Sequence, residues 1–141
     1  MNRPVDLVRR YWEHCWNDRA VDELGDIFHE PYRHNRSEAT IAEHAAIIAD
    51  TVRSFPDVRV EILDIAETGA VVISRSRFIG THGGEVFGIG PTGREISAPT
   101  LDVYFFRDGK VATLWHLTDH LPILRDIGAE ATVAGKVVDL T

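Results

Sequence analysis

The 141-residue sequence predicts an α+β domain in which three N-terminal helices cover one face of an antiparallel sheet. Residues before Phe55 repeat apolar side chains at every third or fourth position, which is typical of amphipathic helices. The following residues alternate apolar and polar side chains in four or five stretches, which is typical of half-buried strands. Because the strands follow the helices instead of alternating with them, parallel βαβ units are not expected.

The three predicted helices span residues 4–16, residues 21–28, and a third stretch that starts at Ser37 or Thr40 and ends at Phe55. Pro4 suits the first turn of the first helix, and Trp12 and Trp16 lie on its apolar face. Pro31 ends the second helix and Pro56 ends the third, because proline disfavours helical backbone at the residue before it.

The predicted strands span residues 58–66, 70–80, 95–106 and 111–118, and a short helix or turn spans residues 120–127. Gly69 separates the first two strands, and Asp108-Gly109 predicts a two-residue hairpin turn between the last two. Pro99 predicts an edge strand or a β-bulge, because proline cannot donate to the hydrogen-bond ladder. The tail has some strand character, but the sequence does not place it in the fold.

The composition is that of a soluble globular protein with one domain over residues 1–128, and residues 129–141 extend that domain. A formal net charge of −7 argues against a nucleic-acid partner. Cys15 is the only cysteine, so no intramolecular disulfide can form, and its position among tryptophans indicates packing. No stretch has the roughly 18 apolar residues of a membrane span, and the start lacks a signal-peptide core, so a cytoplasmic protein without membrane contact is expected.

Two stretches carry residues suited to chemistry. The Gly-rich segment 78–94 contains His82 and Arg94 and should be an irregular connection between two strands. In the last strand, alternation places Trp115, Leu117 and Asp119 on one face. A carboxylate beside large apolar groups is costly unless it is paired or its pKa is shifted, so Asp119 is a candidate general acid or base.

These stretches contain the pattern Gly80-Thr-His82-x-Gly84-Glu85, Gly88, Pro91-Thr-Gly-Arg94, Asp108-Gly-Lys110, Trp115-x-x-x-Asp119 and Leu124-x-x-Ile127-Gly128. The pattern resembles that of the SnoaL-like polyketide cyclases. These belong to the nuclear transport factor 2-like superfamily, together with ketosteroid isomerases, limonene epoxide hydrolases and scytalone dehydratases. The resemblance implies a cone-shaped, cystatin-like α+β barrel, in which helices close one side of a curved sheet whose concave face lines a pocket.

The resemblance also implies catalytic roles for Asp119 and His82. The matching Asp of the family removes a proton from the carbon nucleophile of an intramolecular aldol closure. His82 would stabilise the resulting enolate by donating a hydrogen bond. Asp119 could instead be a helix N-cap, because it directly precedes His120-Leu-Pro, and His82 could instead hold the Gly-rich turn through a backbone carbonyl.

Three further polar residues are candidate substrate-binding groups. Arg75 shares a strand face with Arg77, and that face meets the pocket, the solvent or a partner subunit. Asp102 is either structurally paired or part of the pocket. His34 partly matches a Tyr-x-x-His element with which family members reach the pocket.

Apolar side chains would form the pocket walls, as in most small-molecule sites, and the candidates are Trp12, Trp16, Phe87, Tyr104, Trp115 and Leu117. No HExxH motif or paired cysteines are present. His116 and His120 are four residues apart on a strand, where that spacing does not converge on one ion. A metal site formed by His34, His82 and Asp119 is conceivable, but neither a metal nor a cofactor is expected.

The sequence thus predicts a cofactor-free cyclase or isomerase that acts on a hydrophobic, carbonyl-bearing small molecule such as an aromatic polyketide. Two alternatives share the fold: an epoxide hydrolase that uses Asp102, Arg75 and Asp119, and a dehydratase that uses a His and Asp pair. A binding module without chemistry is an alternative of another class. The resemblance further implies a homodimer or tetramer assembled through the sheet.

Overall fold

Helices cover one face of a six-stranded sheet in the computed structural model, which describes residues 2–140. The helices are α1 (Pro4–Arg10), which continues as a π-helical segment (Tyr11–Asn17), then a 3-10 turn (Val21–Glu23), α2 (Leu24–Ile27), α3 (Ile41–Ser54) and α4 (Leu121–Asp126). Helix α3 begins at a capping box, in which the Thr40 side chain accepts from the Glu43 backbone N–H and the Glu43 carboxylate accepts from the Thr40 N–H. The three predicted N-terminal helices are confirmed. No helix among residues 2–140 is long and apolar enough to cross a membrane.

The large sheet has the strand order β2-β1-β6-β5-β4-β3. Its strands are β1 (Phe28–His34), β2 (Ser37–Ala39), β3 (Arg59–Thr68), β4 (Val71–Thr81), β5 (Glu95–Arg107) and β6 (Lys110–Thr118). The predicted hairpins β3–β4 and β5–β6 are confirmed. Neighbouring strands are antiparallel except for β1 and β6, which are parallel. In the tail, β7 (Ala131–Val133) and β8 (Lys136–Val138) form a separate hairpin.

Strands β1 and β2 lie at and beyond the end of the second predicted helix, where the sequence analysis expected no strand. Phe28 and Tyr32 are the two buried residues of β1, and their four-residue spacing is that of a helix. Pro31, predicted to end a helix, instead lies inside β1 after a cis peptide bond. Because most side chains of β1 are not buried, the strand lacks the alternation of apolar and polar residues that would have identified it.

Pro99 lies in the central strand β5, so the prediction of an edge strand is wrong. Its carbonyl accepts a hydrogen bond from the Asp119 N–H, just beyond the end of β6. In an antiparallel strand the N–H and C=O of one residue point to the same side. The Pro99 nitrogen, which has no hydrogen to donate, therefore faces Asp119, where the hydrogen bonds between β5 and β6 have already ended. No carbonyl of β6 loses a partner because of this proline.

The two faces of the sheet differ in what they cover. The inner face, which meets the helices, carries Ser74, Ser76, Phe78, Ala98, Thr100, Asp102, Tyr104, Leu114, His116 and Thr118. The outer face carries large apolar residues that are exposed in the single chain, namely Ile73, Leu101, Phe105, Trp115 and Leu117. Both faces are thus rich in apolar groups, but the polar side chains near the end of β6 point inward.

Candidate active site

A cavity of about 560 Å³ lies between the inner face of the sheet, the first helix and α3. Its walls include the apolar side chains of Trp16, Phe55, Val58, Phe78, Ile96 and Leu114. Its polar lining includes Tyr11, His34, Asn35, His44, His116 and Thr118. An apolar cavity with a few convergent polar groups is the usual form of a small-molecule site.

Asp102 and His116 form a hydrogen-bonded pair at one wall of this cavity. They are cross-strand partners on β5 and β6, and Asp102 is fully buried. Asp102 Oδ1 contacts His116 Nδ1, and Asp102 Oδ2 accepts from Thr100 Oγ1 at 3.1 Å. A buried carboxylate needs such donors to offset the loss of water, so the pair is held in one arrangement.

The contacts of His116 determine which of its ring nitrogens carries the proton. An ionised carboxylate can only accept, so Nδ1 donates to Asp102. In the neutral ring Nε2 is then the acceptor, and it lies 2.8 Å from Thr118 Oγ1, which donates to it. His116 therefore presents a basic nitrogen on the cavity side, with a carboxylate behind it that stabilises the ring when it gains a proton.

Asn35 fixes the backbone next to His116. It has a φ of 53°, a left-handed conformation that asparagine tolerates better than most residues. Its Oδ1 accepts from the His116 N–H at 2.8 Å, and its own N–H donates to the Leu114 carbonyl at 2.8 Å. Because Oδ1 is occupied, the Nδ2 amide group is the part of Asn35 left for a ligand in the cavity.

His34 lies on the cavity wall beside His116. Their rings are perpendicular, with centroids 6.1 Å apart. Burial lowers the pKa of His34, and the nearby His116 lowers it further, so His34 is neutral near pH 7. The sequence analysis named His34 as a substrate-binding group, and the structure places it within reach of a ligand.

Asp119 lies outside this cavity. The predicted alternation is present, but the face that carries Trp115, Leu117 and Asp119 is the outer one. The Asp119 side chain is exposed, and its Oδ1 accepts from the Leu121 N–H at 3.1 Å at the start of α4. The contact lies one residue before the N-cap of α4, which is His120, so Asp119 is not the helix N-cap weighed in the sequence analysis. The apolar surround expected for Asp119 is not found either. Trp115 is 42% exposed and does not line the cavity either.

His82 is fully buried beneath the Gly-rich loop and is not part of the cavity wall. Its Nδ1 accepts from the Thr92 backbone N–H at 3.3 Å and lies 3.0 Å from Thr92 Oγ1. Its backbone N–H donates to the Arg94 carbonyl, so the two ends of the loop are joined at this residue. The structure therefore places His82 as a brace for the loop and not beside a substrate.

The same loop docks onto the C-terminal end of α3. The N–H groups of Gly83 and Gly84 both donate to the Ser54 carbonyl at 3.0 Å. A Cβ atom at Gly84 would lie 2.2 Å from the Arg53 carbonyl oxygen, so only glycine fits there. This close approach explains why the motif around His82 is rich in glycine.

Arg75 and Arg77 face outward and are paired there. Arg75 contacts Asp64 at 2.6 Å, and Arg77 contacts Glu61 at 2.6 Å. Asp102 lies on the inner face and Asp119 on the outer one, so the set proposed for epoxide hydrolysis is not assembled. Arg75 does not line the cavity on the inner face, but it lines a second cavity of about 490 Å³ together with Asp119.

The predicted wall residues divide between the cavity and the core. Trp16 and Phe87 line the cavity, and Leu117 borders it although this residue lies on the outer face of β6 and is 68% exposed. Trp12 and Tyr104 are buried in the core and are absent from its lining. Across residues 2–140, no group of three or more His, Cys, Asp or Glu side chains is placed to hold a metal ion.

Known proteins of similar sequence identify the family. The SnoaL-like polyketide cyclase profile matches residues 6–127. The chain belongs to the SnoaL-like polyketide cyclase family. An aklanonic acid methyl ester cyclase of Streptomyces galilaeus is 27% identical over 136 residues, which cover 91% of this chain and 92% of that protein. A second cyclase of that name, from Streptomyces peucetius, is 26% identical over 135 residues, with the same coverage of 91% and 92%.

Solved structures agree with this SnoaL-like fold. TsrD of Streptomyces laurentii has a TM-score of 0.81 and 26% identity, over 92% of this chain and 98% of that one. IdmH of Streptomyces antibioticus has a TM-score of 0.80 and 23% identity, over 91% of this chain and 100% of that one. The expected family and its helix-covered, curved sheet are confirmed.

The sequence analysis missed most of the polar cavity residues, although the sequence carries a signal for them. His116 and Thr118 alternate with Trp115 and Leu117, so one face of β6 is polar. His44 lies in the apolar stripe of α3 between Ile41 and Ile48, where a polar residue needs a partner. Polar residues on an otherwise buried face were the available clue.

Proposed function

We propose that this protein is a cofactor-free cyclase in which His116, supported by Asp102, is the general base of an intramolecular aldol closure. The observation that carries this proposal is the buried Asp102 carboxylate bound to His116 Nδ1, with Nε2 directed to the cavity side. The carboxylate fixes the ring orientation and stabilises the imidazolium form during proton transfer.

In the proposed reaction, the Thr118 hydroxyl turns away from His116 Nε2, and this nitrogen removes a proton from a substrate carbon that lies next to a carbonyl. The resulting enolate carbon attacks a second carbonyl of the same molecule, which forms a carbon–carbon bond and an alkoxide. The alkoxide then takes the proton back from His116 Nε2–H. Every atom of the substrate is kept, and the base is restored, so the cycle needs no oxidant, reductant or cofactor.

The enolate oxygen needs hydrogen-bond donors while the negative charge is present. His34 lies beside His116, and the Asn35 amide group is held at the same edge of the cavity. We assign these two side chains to the oxyanion, because they are polar lining groups near the proposed base. His82, which lies under the loop, has no part in the proposed reaction.

The cavity supports a hydrophobic carbonyl compound of polyketide type as substrate. Its volume of about 560 Å³ is within the roughly 300–1,000 Å³ of sites for molecules of drug size. The relatives in Streptomyces galilaeus and Streptomyces peucetius are named as cyclases of aklanonic acid methyl ester. We therefore propose an aromatic polyketide ester as the substrate class.

Deuterium exchange tests the proposed base. The protein is incubated in D₂O with a panel of aromatic β-keto esters and polyketide-type anthraquinone esters, and mass spectrometry follows exchange and cyclisation above the buffer rate. His116→Ala should abolish both signals. Asp119→Asn is the matched control, because it changes an exposed carboxylate at the end of the same strand, and it should retain both.

Three results would overturn the proposal. Loss of exchange in Asp119→Asn, with His116→Ala unaffected, would return the general base to Asp119. Ligand binding without exchange or conversion in any variant would indicate a binding module. Addition of water to an epoxide that depends on Asp102 would instead favour hydrolysis.

We also infer that the outer face of the sheet binds a second copy of this chain. Leu101, Phe105, Trp115 and Leu117 are each 41% to 68% exposed there. A contiguous exposed apolar surface of this kind commonly marks a protein interface. Association through this face would leave the cavity on the inner face accessible.

A further inference from the structure

A network of four hydrogen-bonded side chains runs along the wall of the cavity. Tyr11 Oη lies 2.8 Å from His44 Nε2, and His44 Nδ1 lies 2.7 Å from Tyr32 Oη. Tyr32 Oη also lies 3.1 Å from His34 Nδ1. Tyr11, Tyr32 and His44 are each at most 3% exposed, so water does not compete for these bonds. The network ends at His34, which lies on the cavity wall next to His116.

All four members are electrically neutral near pH 7. Burial lowers the pKa of His44 to about 3, with smaller contributions from His34 and His116. Burial also raises the pKa of both tyrosines above the usual value. A neutral imidazole has one N–H donor and one acceptor nitrogen, and a phenol has one proton to donate. The protons along the network can therefore be ordered in only two ways.

The first order starts at Tyr11. Its hydroxyl donates to His44 Nε2, His44 Nδ1–H donates to Tyr32, and the Tyr32 hydroxyl donates to His34 Nδ1. The remaining nitrogen of His34, Nε2, then carries a proton, which can meet water or substrate in the cavity. No buried donor is left without an acceptor in this order.

The reverse order is costly. His44 Nε2–H would donate to the Tyr11 oxygen, and the Tyr11 proton would need another acceptor. Among residues 2–140, His44 is the hydrogen-bond partner found for the buried Tyr11 hydroxyl, so in this order the Tyr11 proton would have no protein acceptor and could only meet the contents of the cavity that Tyr11 lines. The Trp16 N–H also disfavours the reverse order, because an indole N–H can only donate and cannot accept the Tyr11 proton. This N–H has no acceptor of good geometry. It is nevertheless close enough to the Tyr11 hydroxyl to lower the pKa of Tyr11, against the larger rise that burial causes.

We propose that Tyr11, His44 and Tyr32 act as positioning residues that hold His34 in the Nε2–H form, so that His34 donates a hydrogen bond to the substrate oxyanion. Asp102 holds His116 in the opposite form, with the ring proton on Nδ1 and with Nε2 as an acceptor that the Thr118 hydroxyl contacts. The two neighbouring imidazoles thus have complementary roles, one as proton acceptor and one as hydrogen-bond donor. The donor role rests on the proposed cyclase function, whereas the proton order does not depend on it.

Two-bond ¹H–¹⁵N correlation spectra of the ligand-free, ¹⁵N-labelled protein test the proton order directly, because the two neutral imidazole forms give different patterns. We expect the Nε2–H pattern for His34 and the Nδ1–H pattern for His44 and His116. Tyr32→Phe should convert His34 to a mixture of forms while His116 keeps its pattern. Tyr104→Phe is the matched control, because Tyr104 is also buried but its hydroxyl contacts Ser74 and does not belong to the hydrogen-bonded series from Tyr11 to His34.

Deuterium exchange with the same β-keto esters then tests the use of this proton. Tyr32→Phe should lower the maximal exchange rate about tenfold with little change in half-saturating substrate concentration, because one aligned donor is lost at the oxyanion. An Nδ1–H pattern for His34 in wild type would overturn the proposal even if the protein is a cyclase. If the wild-type histidines show the expected ¹H–¹⁵N patterns but the protein catalyses no deuterium exchange, the cyclase function is refuted and the proton order is still supported. An unchanged exchange rate in Tyr32→Phe would remove the assigned donor role of His34.

Discussion

Replacing Asp102 with asparagine tests how the His116 ring is held. The Thr100 hydroxyl donates to Asp102 Oδ2, so the asparagine oxygen should take that place and turn its NH₂ group toward His116. An NH₂ group can only donate, so His116 Nδ1 must become the acceptor and the ring proton must move to Nε2. The nitrogen that faces the cavity then no longer accepts a proton.

The expected loss in rate is that of a general base. Positioned proton transfer contributes roughly 10²–10⁴-fold to a rate, so Asp102→Asn should lower deuterium exchange by a factor within this range. The side chains have nearly equal volume, so the cavity should keep its shape and ligand binding should change little. Asp119→Asn makes the same chemical change on the exposed outer face and should leave the rate within about twofold.

Two measurements decide the outcome for Asp102→Asn. The rate comes from mass spectrometry in D₂O, and the ring form of His116 comes from ¹H–¹⁵N correlation spectra. A loss smaller than about threefold, in a variant whose His116 has changed to Nε2–H, would refute the role of His116 as base. Retention of the Nδ1–H form would instead show that Asp102 does not determine the ring orientation.

Three further predictions concern stability and assembly. Gly84→Ala should destabilise the fold by roughly 1–3 kcal/mol in thermal unfolding, because the new Cβ meets the Arg53 carbonyl, whereas Gly90→Ala has open space and should cost much less. Trp115→Glu should shift the protein toward monomer in light scattering after size exclusion, and an unchanged mass would refute the outer-face interface. His44 has a folded pKa of about 3 against 6.5 in the unfolded chain, so the unfolded state binds more protons between these values and stability falls as pH drops below 6.5. His44 should lower the free energy of unfolding by roughly 2 kcal/mol between pH 7 and 5, as measured by urea unfolding. In His44→Phe the free energy of unfolding should depend less on pH by this amount. An equal pH dependence in the two proteins would contradict the low pKa of His44.

The sequence predicted the helices and the two long hairpins because their signals are local. The apolar period of α3 and the Asp108-Gly109 turn are examples that depend on few residues. Strand β1 could not be predicted in this way, because its buried residues are spaced as in a helix. Its place beside β6 depends on a pairing between distant parts of the chain.

The candidate site was only partly predictable for a related physical reason. Alternation correctly grouped Trp115 with Asp119, but the pattern cannot say which face of a strand meets the helices. The apolar face was expected inside, whereas on β6 the exposed outer face carries Trp115 and Leu117. His34 was named from the family resemblance, and Asp102 was named with two open roles. The contact between Asp102 and His116 requires the register of β5 with β6, which only the structure provides.

The manner in which the Gly-rich loop is attached bears on how this protein can acquire new substrates. Backbone groups of Gly83 and Gly84 hold one end of the loop to α3, and backbone bonds around His82 close its base. Between these attachments, Phe87 reaches the cavity while 56% exposed, and Gly90 has open space around it. Side chains at the tip can therefore change without breaking the bonds that hold the loop. Selection can alter the ligand range at this tip at little cost to folding.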